Sequence, residues 1–428
     1  MVMTQNRYEV CRDSGVEWLG EIPEHWECLK LGQLLNSVSL KNRPTLQLLS
    51  ITREKGVIVR NLEEEEENHN FIPDDLSNYK VLRKGQFGMN KMKAWQGSYG
   101  ISMHTGIVSP AYYIFDLHHK LLPEYFHFAI RSKLYISFFG SASDGVRIGQ
   151  WDLSKPRMKE IPFLVPSKDE QTAIAQFLND KTQKIDEAIR VKEKQIALLK
   201  ERRQVLIHQA VTRGLDKDVK LKDSGVEWIG EVPEGWTITK LGRMLSPYSI
   251  KNHPHATLLS ITRELGVIER DKDDQEANHN FIPDDLTGYK LLKKGDFGMN
   301  KMKAWQGSYG VSNFTGIVSP AYYTFSIVKT INPDFFHLSI RSKLYVSFFG
   351  QASDGVRIGQ WDLSQERMKL IPFLIPTISE QEKILIFIET ATKKNAITIS
   401  LKEQEIEKLK EYKVSLINGV VTGKIRII

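Results

Sequence analysis

Two stretches of the chain carry apolar residues at heptad spacing. The first runs through Leu178, Ile185, Ile189, Ile196, Leu199, Leu206 and Ala210, the second through Ile388, Ile399, Ile406, Leu409, Leu416 and Val420. No Gly or Pro interrupts the first between Ser167 and Gly214. Capping-box patterns open both, Ser167-Lys-Asp-Glu170 and Thr377-Ile-Ser-Glu380. The spacing predicts two helices of about 40 residues, roughly 60 Å long at ~1.5 Å per residue. Some seam positions are polar: Lys192, Arg203, Asn395, Lys402 and Lys413. A long amphipathic helix with no other partner in its own segment is expected to pair with its copy, antiparallel.

The segments ahead of the helices read differently. Short apolar runs alternate with Gly and Pro, and aromatic and β-branched residues cluster, as in IVSPAYYIF. They predict mixed α/β globules with short strands, and one helix over Pro123–Phe139 with Pro in its first turn. Gly106–Tyr113 reads as a buried strand after a turn.

An internal repeat explains why every element comes twice. At a constant offset of 210, DSGVEWLGEIPEHW (Asp13–Trp26) returns as DSGVEWIGEVPEGW (Asp223–Trp236). GMNKMKAWQGSYG, TGIVSPAYY and ASDGVRIGQWDLS return unchanged. The expected order is a globule over 1–166, a long helix over 167–213, a second globule over 214–376, and a second long helix with a tail over 377–428. The fold class expected is α/β (α+β), two mixed globules separated by two antiparallel coiled-coil helices in a pseudo-two-fold duplication.

Composition narrows the class. Of 428 residues, 41% are hydrophobic and 26% charged, ordinary globular usage. Two cysteines, Cys11 and Cys28, cannot build a disulfide framework and fit a reducing cytosol. No apolar run reaches membrane-helix length, and the first ten residues lack an apolar leader, so a cytoplasmic protein is expected. The net charge of +7 is a mild hint of nucleic acid. Its distribution says more, because Lys/Arg outnumber Asp/Glu by 11 to 5 over residues 81–160 and by 10 to 5 over 291–370.

The chain resembles the DNA-specificity subunits of bacterial Type I restriction–modification systems. SGVEWLGEIPEHW and its copy, the NKMKAWQGS…GIVSPAY stretches, and IPFLVP…DEQ and IPFLIP…SEQ leading into the helices carry the likeness over essentially the whole chain. The resemblance implies two target-recognition domains, each reading half of a split sequence in double-stranded DNA. It implies helices that set the spacer and dock two methyltransferase subunits, with motor/nuclease subunits joining to cut unmodified DNA. S-adenosylmethionine, ATP and Mg²⁺ would belong to those partners, and this chain would hold no cofactor. The near-identity of the two recognition domains departs from the family, whose members usually carry divergent ones.

Motifs for chemistry in this chain are weak. Asn332-Pro333-Asp334-Phe335 lacks the second proline of an amine clamp, and its copy begins Leu122-Pro123. No glycine-rich phosphate loop follows a strand. Pro73-Asp74-Asp75 and Pro283-Asp284-Asp285 have no following D/E-x-K within thirty residues. They read as acidic turns or helix starts, and His69 and His279 as surface or hydrogen-bonded histidines rather than metal ligands. The alternative function, a self-contained methyltransferase or nuclease, would need a site these motifs do not supply.

Two stretches are dense in side chains suited to DNA. In the first, Lys91 and Lys93 can neutralise phosphates, Asn90 and Gln96 can pair with adenine, and Ser98 and Tyr99 can donate to phosphate or base edges. Core packing competes for Met92, Trp95 and Tyr99. In the second, Arg147 matches guanine O6/N7, Gln150 can read adenine, and Asp144 can orient Arg147. Arg131 and Lys133 are phosphate candidates on the expected helix. The copies are Asn300, Lys301, Lys303, Gln306, Ser308, Tyr309, Arg341, Lys343, Arg357 and Gln360. Trp18 and Trp228 fit either a domain–helix junction or a partner surface.

Overall fold

The computed structural model describes residues 7–61, 72–147, 150–271, 282–328, 330–357 and 360–428, with backbone only at 146, 147, 150, 356, 357 and 360. His69 and His279 lie outside the described residues. The chain forms two compact units, Met1–Lys192 with Glu403–Ile428, and Glu193–Lys402. Each unit therefore takes a globule and a half of each long helix, a division different from the four successive segments expected.

In the first unit a four-stranded antiparallel sheet is ordered Leu35–Val38, Tyr112–Leu117, Phe87–Asn90, Tyr99–Ile101. Phe87, Met89, Tyr99 and Phe115 point from it into a core shared with Tyr125, Phe126, Phe139 and Phe163. Gly106–Val108 pairs with Lys80–Leu82 and is fully buried. Glu27–Lys30 pairs with Pro162–Val165, so the globule closes where the long helix begins. The second unit repeats these pairings 210 residues later.

The single helix expected over Pro123–Phe139 is two: Pro123–Ile130 and Lys133–Ser141. The break falls at Ser132, which takes the extended backbone of an N-cap residue (φ −63°, ψ 153°). Arg131 ends the first helix and turns its guanidinium back toward the sheet.

The long helices span Lys168–Arg213 and Ile378–Val421. Within the first unit Lys413 Nζ meets Asp186 at 2.7 Å and Lys192 Nζ meets Glu405 at 2.7 Å, so the segments run antiparallel. Within the second, Lys402 Nζ donates to Gln195 at 2.6 Å, while Ile207 and Ile388 join one buried cluster. Lys192, Lys402 and Lys413 thus become cross-helix pins. Arg203 departs from the seam and is exposed, and Ile207 is buried where Leu206 is only half-buried. A straight helix drifts against a strict seven-residue repeat, so a heptad reading slips by a residue.

The capping boxes form and extend further than their own turn. Ser167 Oγ and Glu170 bond reciprocally, and Glu170 also accepts from His25 Nε2 at 2.9 Å and Trp26 Nε1 at 3.2 Å. Burial pushes the Glu170 carboxyl up, but the donors from His25, Trp26 and Ser167 outweigh it and hold it below its usual value. Gln171 accepts from Leu122 N and donates to the Lys120 and Pro166 carbonyls. Glu380 with Trp236, and Gln381 with Asn332 and Pro376, do the same in the second unit. The DEQ and SEQ triplets thereby bolt helix to globule.

Candidate nucleic-acid interface

The two candidate stretches, more than forty residues apart in sequence, form one surface. Asn90 ends a buried strand, and its Oδ1 accepts from Met92 N, folding the following residues into a tight loop. Ala94–Gln96 make one 3₁₀ turn, closed by Gly97 in the left-handed region (φ 89°), where a side chain would be strained. Ser143–Arg147 and Gln150–Leu153 form an antiparallel hairpin. Loop and hairpin are joined by a Trp95–Trp151 ring stack at 5.5 Å, by Lys91 Nζ to Asp152 Oδ2 at 3.2 Å, and by Leu153 N to the Lys91 carbonyl. The second unit reproduces the stack, Trp305–Trp361 at 5.6 Å, and the ion pair, Lys301–Asp362 at 3.5 Å.

The backbones of Arg147 and Gln150 face each other at the hairpin tip, as do those of Arg357 and Gln360. Their side chains lie outside the described residues. Lys93 and Lys303 are exposed, and Gln96 and Gln306 are half-exposed beside them. These residues keep an open face toward solvent. Asp144 forms an ion pair with Arg157, and Asp354 does so with Arg367.

Other candidates have structural duties. The Tyr99 and Tyr309 side chains are fully buried, Ser98 and Ser308 nearly so, and burial drives both tyrosine hydroxyls far above their usual pKa. The strand after the loop is buried on both faces, so these four side chains offer no solvent-facing surface. Asn90 and Asn300 spend their amide oxygens on the loop turn. Arg131 donates to the carbonyls of Tyr99 (2.6 Å), Arg53 and Glu54 (both 2.9 Å), and Arg341 repeats this at Tyr309, Arg263 and Glu264. A guanidinium used by three carbonyls is a brace between two hairpin turns, not a free phosphate ligand. Burial lowers the pKa of Arg131. It drops His127, whose Nδ1 accepts from Ile101 N, to about 4, with the charge of Arg131 adding to the shift.

Lys133 lines a groove of about 900 Å³ with Trp18, Lys410 and Asn418. Lys343 occupies the same helix start in the second unit. Trp18 rests on Phe138 and Trp228 on Phe348, each with one side exposed. Trp18 therefore stands at the domain–helix junction. Asn332 caps its helix through Asp334 N, and Asp75 accepts from Ser77 N in a turn, the structural readings expected of both motifs.

No family model matches the chain. Among curated proteins it is similar to two specificity subunits of type I restriction enzymes from Methanocaldococcus jannaschii. MjaX is 21% identical over 96% of each chain, and MjaVIII is 23% identical over 95% of this chain and 94% of its own. Among solved structures it is similar to a chain from a study of complex assembly and conformational transition of the type I R-M system. That match has a TM-score of 0.66 and 11% identity, covering 94% of this chain and 98% of the other. The HsdS subunit from Thermoanaerobacter tengcongensis matches with a TM-score of 0.50 and 13% identity, covering 96% and 100%. The chain thus has the fold of the type I specificity subunits and resembles them in sequence from end to end.

Proposed function

We propose that this chain is the sequence-reading, non-catalytic subunit of a type I restriction–modification complex, acting on double-stranded DNA together with that system's other subunits. The observation that carries the reading is the joined loop and hairpin, present twice with identical sequence, in a chain similar over its whole length to specificity subunits. Exposed Lys93 and half-exposed Gln96 supply phosphate attraction and adenine recognition, and Arg147 and Gln150 at the hairpin tip supply base readout. Lys303, Gln306, Arg357 and Gln360 do the same in the second half.

The chemistry is delegated. Two methyltransferase subunits bring S-adenosylmethionine and flip the target adenine into their own pocket, since its N6 is out of reach inside the stack. Motor/nuclease subunits bring ATP and Mg²⁺. Identical readers prefer identical bases, so the target is bipartite with matching halves, an inverted repeat around a nonspecific spacer. The test is incubation of the purified chain with duplex DNA and labelled S-adenosylmethionine, with and without the methyltransferase subunit. The reading requires DNA binding by the chain alone and methyl transfer only with the partner. Transfer by the chain alone would overturn it.

A further inference from the structure

Beside the loop and hairpin, three lysines that no motif singled out, Lys41, Lys80 and Lys155, stand near Lys91. Lys80 Nζ donates to the Tyr112 carbonyl at 2.7 Å, and Tyr112 pairs in register with Asn90, the residue before Lys91. Val81 N donates to the Leu40 carbonyl, which brings Lys41 next to Lys80. Lys155, two residues past the hairpin, donates to Ser37 Oγ at 3.0 Å and lies over the Tyr113 ring at 5.4 Å. The strand Tyr112–Leu117 thus gathers Lys41, Lys80, Lys91 and Lys155 on one side of the reading loop. Among the described residues, Lys91 is the one of the four with a carboxylate partner, Asp152. Burial lowers the pKa of Lys80, and the charges of Lys41, Lys155 and Lys91 lower it further, which reports their proximity.

The second unit keeps Lys251, Lys290 and Lys301. It has Gln365 in place of Lys155 and Glu366 in place of Pro156, within stretches otherwise almost unchanged. One cation is lost and one exposed anion gained at the same spot.

We propose that Lys41, Lys80, Lys91 and Lys155 hold the phosphate backbone beside the first reading loop, and that the second unit grips its half-site more weakly because Gln365 replaces Lys155. The inference rests on the DNA-reading role proposed above. The two halves read the same bases but contribute unequally to affinity, so the duplication is symmetric in sequence preference and asymmetric in strength. Mutual repulsion among close ammonium groups is relieved by a polyanion, which is what a phosphate track provides.

The test is the salt dependence of binding of the full-length chain to a labelled duplex, between about 50 and 200 mM salt. Lys155→Gln should lower the slope of log affinity against log salt by about 0.9, and Gln365→Lys should raise it by about 0.9. Over that range each change amounts to about 3.5-fold in affinity. Lys408→Gln, exposed on a long helix, should leave the slope unchanged. Gln365→Lys carries the test if Lys155→Gln fails to fold by thermal melting. Duplex binding with the natural slope in both variants overturns the lysine track while leaving the reading role intact. Absence of duplex binding by the natural chain overturns both.

Discussion

Trp95 and Trp151 stack face to face, ring centres 5.5 Å apart and planes 29° from parallel, and so fasten the reading loop to the hairpin that ends in Arg147. Such a pair contributes about 0.5–1.5 kcal/mol beyond its buried area. Trp151→Ala should therefore lower the melting temperature by about 2–4 °C for the stacking alone, with the lost buried indole surface adding to it, while making the methylated motif degenerate in one half-site. Trp151→Phe should restore most of the discrimination. An unchanged motif in a folded Trp151→Ala protein would show that the stack does not position the hairpin.

Arg131 and Lys93 should separate cleanly. Removing Arg131 leaves the inward Tyr99 carbonyl without its guanidinium donor, at about 1–3 kcal/mol, and hands the exposed Arg53 and Glu54 carbonyls to water. Arg131→Ala should lower the denaturation midpoint and leave the salt slope of DNA binding alone. Lys93→Ala should leave stability alone and reduce that slope by about one. Urea titrations and salt-dependent binding on both variants check the pair.

Base readout is assigned to the hairpin tip. Arg147→Ala and Arg357→Ala should each cost about 1–3 kcal/mol of discrimination and relax the motif at one position of one half-site. Methylation profiling of each variant reads this directly, and a motif identical to the natural one would refute the assignment.

The folded state carries an acid sensitivity. His127 and His337 are held neutral, at about 4 against an ordinary 6.5, by burial and by Arg131 or Arg341 beside them. Their folded values lie below the unfolded value, so the stability tied to the neutral rings is present above pH 6.5. It is lost as pH falls from there through about 4. Each histidine contributes up to about 3 kcal/mol on that scale. Thermal midpoints should fall across this window, and more gently in a His127→Asn/His337→Asn protein, whose amide oxygen can still accept from Ile101 or Val311.

Much of this was legible in the sequence because the signals were local or repeated. The constant offset, the gap without Gly or Pro after Ser167 and the two capping boxes place the helices. They do not reveal that Glu170 and Gln171 also fasten His25, Trp26 and Leu122. The proposed reading loop is legible as a composition, whereas Tyr99 and Ser98 are buried because the strand they enter is covered on both faces, which composition does not show. Arg131 looked like a surface cation, because carbonyls drawn from residues 53, 54 and 99 carry no side-chain signature. Lys155 belonged to no motif, and only Ser37 and Tyr113, far off in sequence, mark its place.

Under the proposed function this chain alone decides where its complex acts, through two readers with the same sequence preference. Methylome sequencing of cells expressing the methyltransferase subunit with and without this chain tests it most directly. The expected result is an adenine motif of two matching, inverted halves that is present only with the chain. Methylation of the same motif without the chain, or halves unrelated after reverse complementation, would contradict it.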